Sequence, residues 1–430
     1  MTEKYLVVNG GSSSLKFSLY ERLNNNNFNE IVSGNIQKIG LADSFYVLKI
    51  NGNKIEKSAC INNHVDAVNA MFNELLENGF VNDLSEIKGV GNRVVHGGEY
   101  YSESVLIDDE ALNNIKSLSK FSQLHQPAQV AIIEFIKKIL PNVPQIATFD
   151  TAFHQSLEDF RYLYPIKNKY YNEYGIRKYG FHGTSCDYIT NVMKDKLCKN
   201  DPNIIICHIG GGASITAVKD GKSLDTSMGL TPLDGLMMEK RSGSIDPEVV
   251  ESISKQESKD LSSVINELNN ESGLLGICGK SDLRDIEKLV NQGDKNAIKA
   301  MQMYTYSFLK VFCQMWASLK TSNYFLDEND KNFNKDCKVD AIVFTAGGGE
   351  NNIKFREDVI NALSSIIGSK LNKEINDNIA GFKKFQEGII TTPDSLVPVY
   401  VIPTDEEHMI LTDTVKLTKE YNEQQRLILK

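Results

Sequence analysis

The sequence predicts an α/β fold assembled by internal duplication, and three observations carry this. An apolar strand at 5–8 runs through a Gly/Ser turn at 9–14 into a second strand at 17–20. The same succession recurs later: a strand at 203–208, the turn Gly210, Gly211, Gly212, and a strand at 214–218. Helical apolar spacing fills the stretches between such strands. A supersecondary unit that recurs marks a repeated fold unit. The 430 residues fit two or three domains at roughly 150 residues each.

In order along the chain, strands at 32–39 and 46–50 continue the β-rich opening, and the asparagine run at 24–27 reads as polar filler at a hairpin tip. A helix is predicted at 65–76. The G-V-G-N-R-V-V-H-G-G stretch at 89–98 is a strand ending in a polar cluster. An amphipathic helix at 128–140 is stopped by Pro141, and a strand at 145–149 delivers Asp150, where a domain boundary is expected. Helices follow at 247–254, 258–268, 282–290 and 294–319, then a polar surface insertion at 321–338. A buried strand at 340–345 enters the glycines of 346–349, and a strand at 396–402 and a helix at 410–427 close the chain.

Composition narrows the function. Hydrophobic residues make up 41% and charged residues 24%, the balance of a globular protein. A net charge of -9 argues against nucleic acid or a polybasic membrane patch as partner. An anionic substrate must therefore be held by local cations. No apolar run approaches the roughly 20 residues that span a bilayer, and the first residues lack a signal-peptide pattern. The seven cysteines form no C-x-x-C pair, which predicts reduced structural thiols in a cytoplasmic protein.

Several segments carry chemistry. In N-G-G-S-S-S-L-K (9–16), glycines admit an anion close to the backbone, the Ser12 and Ser14 hydroxyls can cradle phosphate oxygens, and Lys16 adds a point charge. The G-x-x-x-x-G-K spacing is absent and a strand follows, so this is not a Walker loop; a plain polar hairpin turn is the other reading. H-I-G-G-G (208–212) and F-T-A-G-G-G-E-N (344–351) are turns of the same kind. Three glycine-rich turns at strand ends read as one nucleotide held at several points. Arg93 suits bidentate recognition of a carboxylate or phosphate, or a salt bridge. Asp150, at the carboxyl end of a strand, can hold Mg²⁺, act on a substrate proton, or cap a helix. His154 could share its face or be a satisfied core histidine. His182, between glycines in Y-G-F-H-G-T-S, is expected in an open turn, and Arg241 in a loop. In Asp405-Glu406-Glu407 a carboxylate can ligate Mg²⁺ or open a helix.

Taken in order, N-G-G-S-S-S-L-K, N-R-V-V-H-G-G-E, T-F-D-T-A-F-H-Q, Y-G-F-H-G-T-S, F-T-A-G-G-G-E-N-N and P-T-D-E-E resemble the acetate kinase family, within the acetate and sugar kinase, Hsp70 and actin superfamily. The motifs run from residue 9 to residue 407, so the resemblance covers essentially the whole chain. It implies an α/β, duplicated ribonuclease-H-like (actin-like ATPase) fold in two domains with an interdomain cleft. One domain would be 1–150 plus roughly 403–430; the other, 151–402, would carry the nucleotide site and a dimer interface. It also implies reversible, direct in-line transfer of the terminal phosphate of ATP to acetate, giving acetyl phosphate and ADP, with Mg²⁺ or Mn²⁺, by a cytoplasmic homodimer.

By position, Asp150 matches the family's catalytic aspartate, and His182 and Arg241 match the groups that stabilise the transferring phosphoryl. Arg93 matches the residue that grips the acetate carboxylate; Val95, Leu124, Phe181 and Pro232 match an apolar pocket for its methyl. Ser12, Ser14, Lys16, His208, Gly210, Gly211, Gly212, Asp282, Leu283, Arg284, Gly347, Gly348, Gly349, Glu350 and Asn351 match nucleotide and phosphate contacts. Asn9 and Glu406 match positions near Mg²⁺. The chain departs from the family at Gly211, where Asn is usual, at Glu239-Lys240, where Gly-Thr is usual, at Cys186, where His is common, and in the longer 321–338 loop. Alternative readings are propionate or butyrate as acceptor, pyrophosphate as donor, and, from another class, a chaperone-like or filament ATPase.

Overall fold

The computed structural model describes every residue except 1–2, 24–26, 51, 124, 382 and 429–430. Most of the asparagine run, and Leu124, therefore lie outside the described residues. The chain packs as two units, Met1–Ala152 with Asp405–Lys430, and Phe153–Thr404.

In the first unit, β1 (Lys4–Gly10), β2 (Ser14–Arg22), β3 (Phe28–Gln37), β4 (Phe45–Ile50) and β5 (Asn53–Ser58) form an antiparallel meander. β6 (Ile87–Val94) and β8 (Gln145–Phe149) extend it parallel to β1, and the short β7 (Val105–Leu106) closes the edge, giving the order 5-4-3-2-1-6-8-7. β1 is apolar on both faces because both are covered. Leu6 and Val8 pack with Leu15 and Phe17, and with Met71, Phe72, Ile132 and Ile136 of the helices His64–Glu77 and Gln126–Ile139. Tyr5 and Val7 meet Ile410, Leu411 and Val415 of the closing helix, Glu406–Ile428.

That helix settles onto β6 where the strand has no side chains. A Cβ on Gly91 would stand 2.2 Å from Oγ1 of Thr414 and 2.6 Å from Cγ2 of Ile410; one on Gly89 would stand 2.3 Å from Oγ1 of Thr418. The close approach fixes the start of the helix, and Glu406 with it.

In the second unit, β9 (Ile204–Ile209), β10 (Ala213–Lys219), β11 (Lys222–Thr226), β12 (Ala341–Thr345), β13 (Gly388–Ile389) and β14 (Val399–Val401) take the order 11-10-9-12-14-13. β9 to β11 are antiparallel neighbours; β9, β12 and β14 run parallel. The succession β11-β10-β9-β12-β14 thus repeats β3-β2-β1-β6-β8 in order and direction, which is the predicted duplication. One face of this sheet packs Ile204, Ile206 and Val343 against Cys186, Ile189 and Met193 of the helix Gly183–Leu197. From the long helix Lys295–Lys320, Phe308 stacks on Phe344 of β12 at 5.9 Å and meets Phe355 edge-on at 5.2 Å.

Among the elements that differ from the sequence reading, four are instructive. The open turn expected around His182 is the entry to the helix Gly183–Leu197, whose first turn, Gly-Thr-Ser, hides the apolar spacing. The glycines of 346–349 form a short helix, Ala346–Asn351, that Ala346 enters at φ 64°. The helix Ile353–Ile367 buries Phe355, Val359, Ile360 and Leu363 and was not anticipated. The last strand shrinks to Val399–Val401, since Pro398 has no N–H for the ladder. Among the described residues no helix is long and apolar enough to cross a membrane.

The glycine seat gives a test. Gly91→Ala should lower stability by about 1–3 kcal/mol through overpacking, read as a lower urea midpoint. Gly347→Ala, with nothing within 4 Å of the added methyl, should move it by no more than about 0.5 kcal/mol.

Candidate active site

In the first unit, three parallel strands deliver polar groups to their carboxyl ends, where ligands of open α/β sheets gather. Asn9 comes from β1, Arg93 from β6, and Asp150 directly follows β8. The Arg93 guanidinium donates from Nε to Oδ1 of Asp150 at 2.9 Å and from Nη2 to Oδ2 at 2.5 Å, a bidentate pair, and from Nη1 to Oδ1 of Asn9 at 3.2 Å. Asp150 is buried while Arg93 is partly exposed. Burial pushes the Asp150 carboxyl above its usual pKa; the guanidinium opposes this and the Glu406 charge adds to it. The same two carboxylates act against burial to raise Arg93. Asn9, Arg93, Asp150 and Glu406 thus form one cluster.

Lys16 sits opposite Asn9 across the β1–β2 ladder, exposed, with Ser12 exposed and Ser14 half-buried in the turn before it. Val95 is buried, and its N–H donates to Oε1 of Gln129, whose Nε2 donates to the Gly10 carbonyl.

In the second unit, His182 is the N-cap of its helix and holds a left-handed backbone, φ 58°, ψ 24°. For a residue other than glycine this is a strained state that surrounding structure must impose. Its ring stacks on His208 at 4.1 Å, and its Nδ1 shares a hydrogen bond with the Ser214 hydroxyl at 3.0 Å. His208 Nδ1 bonds the Ser185 hydroxyl (2.9 Å), which bonds Thr404 Oγ1 (2.7 Å). The Thr404 N–H donates to Glu350, whose carboxyl is raised by burial. A Cβ on Gly212 would stand 3.2 Å from Nη1 of Arg241 and 3.3 Å from Nε2 of His182. The guanidinium and the imidazole therefore converge on the edge of the β9–β10 glycine turn.

Gly273 holds the Arg241 loop. It has φ 61°, and a Cβ there would stand 2.1 Å from the Met238 carbonyl and 2.7 Å from that of Arg241. Backbone N–H groups of Ser272, Leu274 and Leu275 donate to Lys240, Met238 and Glu239. Pro232 offers its carbonyl to Arg241 Nη1 at 3.3 Å, and Phe181 is buried. The other glycine segment packs onto the same turn, with Gly348 against the Ile209 carbonyl and Gly210 facing Ala346. Asn351 ties Gly347 to Gly381. Asp282 caps the helix Leu283–Asn291 and pairs with Arg284, which with the backbone N–H pulls its carboxyl down to about 2. The roles of the Ser185, Ser214 and Thr404 hydroxyls escaped the sequence reading, because a single hydroxyl has no spacing signature even where, as at Ser185 and Thr404, it stands inside a recognised motif.

The residues 4–412 match the family model described as the Acetokinase family. The chain is 42% identical to the acetate kinase of Bacillus subtilis (strain 168) over 419 residues, 97% of this chain and 100% of that protein. The chain belongs to the acetokinase family. It is a phosphotransferase with a carboxyl group as acceptor. Two solved structures share its fold at a TM-score of 0.85. One is the acetate kinase of Porphyromonas gingivalis, 36% identical, with 96% of this chain and 99% of that one covered. The other is a propionate kinase from Francisella tularensis subsp. tularensis SCHU S4, 38% identical, with 96% and 100% covered.

Gly211 and Glu239, which the resemblance reads as departures from the family's usual residues, lie side by side. A Cβ on Gly211 would stand 3.3 Å from Oε2 of Glu239. Glu239 is half-buried; burial and the Asp282 carboxylate raise its pKa against Lys240 and Arg284. The space an asparagine at 211 would need is thus crowded by this carboxylate. Gly211→Asn should destabilise the chain alone and be tolerated with Glu239→Gly, a coupling of about 0.5–3 kcal/mol in a double-mutant cycle read by urea unfolding.

His154 is fully buried, and burial draws its pKa from 6.5 down to about 4. The unfolded chain takes up this proton first as pH falls. The neutral imidazole's contribution is therefore complete above pH 6.5 and is lost on the way down to about pH 4, a loss of about 3 kcal/mol. Urea midpoints between pH 7.5 and 4.5 should fall less steeply for His154→Gln than for the parent chain.

Proposed function

We propose that this chain transfers the terminal phosphoryl of ATP to acetate, reversibly, giving acetyl phosphate and ADP. The observation that carries this reading is the convergence of Arg241 Nη1 and His182 Nε2 on the Gly212 edge of a glycine turn. Charge in phosphoryl transfer gathers on the equatorial oxygens, and donors aimed there supply most of the rate. Arg241 and His182 are those donors in this reading. The turns at 208–212 and 346–351 and the Asp282–Arg284 segment hold the nucleotide, with Ser12, Ser14 and Lys16 as further phosphate contacts.

A carboxylate is already a nucleophile, so the acceptor needs neutralisation and aim rather than deprotonation. Arg93 binds the acetate carboxylate in this reading, and the resemblance assigns Val95, Phe181 and Pro232 to its methyl. The bidentate engagement of Asp150 by Arg93 supports a role as organiser of the guanidinium over one as proton-abstracting base. Asn9 and Glu406 are oxygen donors that suit Mg²⁺, a hard cation that keeps most of its waters. When bound there it neutralises phosphate charge; these two residues would hold it and Asp150 would orient Arg93 beside it. The seven free cysteines agree with a reducing cytoplasm. We take the enzyme to work there as a homodimer, and light scattering should return twice the 48.1 kDa chain mass.

A hydroxamate assay for acyl phosphate, run with acetate, propionate and butyrate and with ATP and pyrophosphate, tests the reading. Acetate with ATP should give the highest kcat/KM. One methylene alters acceptor binding by only about 1–3 kcal/mol, so propionate should be a weaker second substrate. Arg241→Ala should lower kcat by roughly two to four orders of magnitude. Near-normal turnover would remove Arg241 from the chemistry.

A further inference from the structure

We infer that His154 is a positioning residue, which holds His182 in its working conformation by anchoring the Phe181 carbonyl. This rests on the role of His182 proposed above. His154 lies in the short turn Ala152–Ser156, fully buried, with its Nε2 at 3.0 Å from the Phe181 carbonyl and its Nδ1 at 2.8 Å from the Ser223 hydroxyl on β11. A carbonyl oxygen only accepts, so Nε2 carries the proton. Nδ1 of the neutral ring must then accept from Ser223, and the tautomer is determined. Ser223 is held in turn, since its carbonyl receives the Ser156 hydroxyl at 2.8 Å.

The anchored carbonyl belongs to the residue just before His182. That histidine stands at φ 58°, a backbone state that side-chain-bearing residues leave unless held. On its far side the Cys186 N–H donates to the His182 carbonyl at 3.0 Å, as the first turn of the helix requires. On its near side the chain passes Gly180, at φ 76°, where a Cβ would stand 2.7 Å from Cδ2 of His154. The histidine ring thus lies flush against the chain that leads into His182. Releasing the Phe181 carbonyl frees the peptide before His182 to return to the ordinary basin, which turns the imidazole away from Gly212 and Arg241.

Steady-state kinetics on His154→Leu and His154→Gln test this. Leucine cannot donate to the carbonyl, whereas the glutamine amide can. Misplacing a catalytic group by about an ångström costs up to about a hundredfold. His154→Leu should therefore lose about tenfold to a hundredfold in kcat, with KM for acetate and ATP within about threefold, and His154→Gln should recover most of kcat. Equal loss in both variants, or a rise in KM with kcat unchanged, overturns the inference. If circular dichroism shows that His154→Leu does not fold, Ser223→Ala replaces it. An about threefold to tenfold drop in kcat is then expected, and unchanged kcat overturns the inference. His182→Ala separates the two claims. Retained turnover there removes His182, and this inference with it; lost turnover beside a normal His154→Leu removes the inference alone.

Discussion

A guanidinium held by both oxygens of one carboxylate and by an amide oxygen cannot shift without leaving a buried charge unpaired, and breaking such a pair from one side costs several kcal/mol. Arg93 is held in this way by Asp150 and Asn9. Arg93 and its two partners come from the ends of three adjacent parallel strands, so the strand order 1-6-8 is the requirement that the rest of the first unit serves. The helices on one face press β1 and β6 into register. The closing helix covers the other face and brings Glu406 into the field of the pair, at the cost of side chains at residues 89 and 91.

The second unit repeats the sheet but uses its strand ends differently. Where the first unit ends in a charged pair, β9 ends in a glycine turn, and the cation is supplied from a loop. Arg241 reaches that turn because Gly273 lets the loop backbone lie against the start of the Gly273–Cys278 helix. His182 reaches it because its backbone is kept in a conformation most residues avoid. One plan, duplicated, thus supplies a rigid guanidinium suited to a carboxylate and a glycine turn ringed by donors suited to phosphate. A net charge of -9 makes both necessary, since the overall field repels each substrate.

Much of this was legible in the sequence, and the gaps have physical causes. The repeated strand-turn-strand unit stood out because central strands buried on both faces read as continuous apolar runs, as in Ile204 to Cys207. The helix Gly183–Leu197 was missed because its first turn is Gly-Thr-Ser, and the glycines after β12 pointed to a turn where a helical turn forms. Arg93 and Asp150 were both singled out, but their pairing spans 57 residues and arises from neighbouring strands, so no spacing rule could join them. The contact of Gly211 with Glu239 was likewise hidden, though each was visible as a departure from the family. Ser214 belongs to no motif, and Ser185 and Thr404 stand inside motifs whose other residues drew the reading, so the hydroxyls that orient the two stacked imidazoles went unread.

In the proposed reaction the protein supplies positive charge and aim, and the phosphoryl group passes from one anion to the other without resting on a side chain. The stereochemical course at phosphorus measures this most directly, with ATP made chiral at its terminal phosphate by oxygen isotopes and sulfur as donor to acetate. A single in-line displacement requires inversion of configuration in the acyl phosphate. Net retention would mean two displacements through a phosphorylated residue, and would contradict direct transfer.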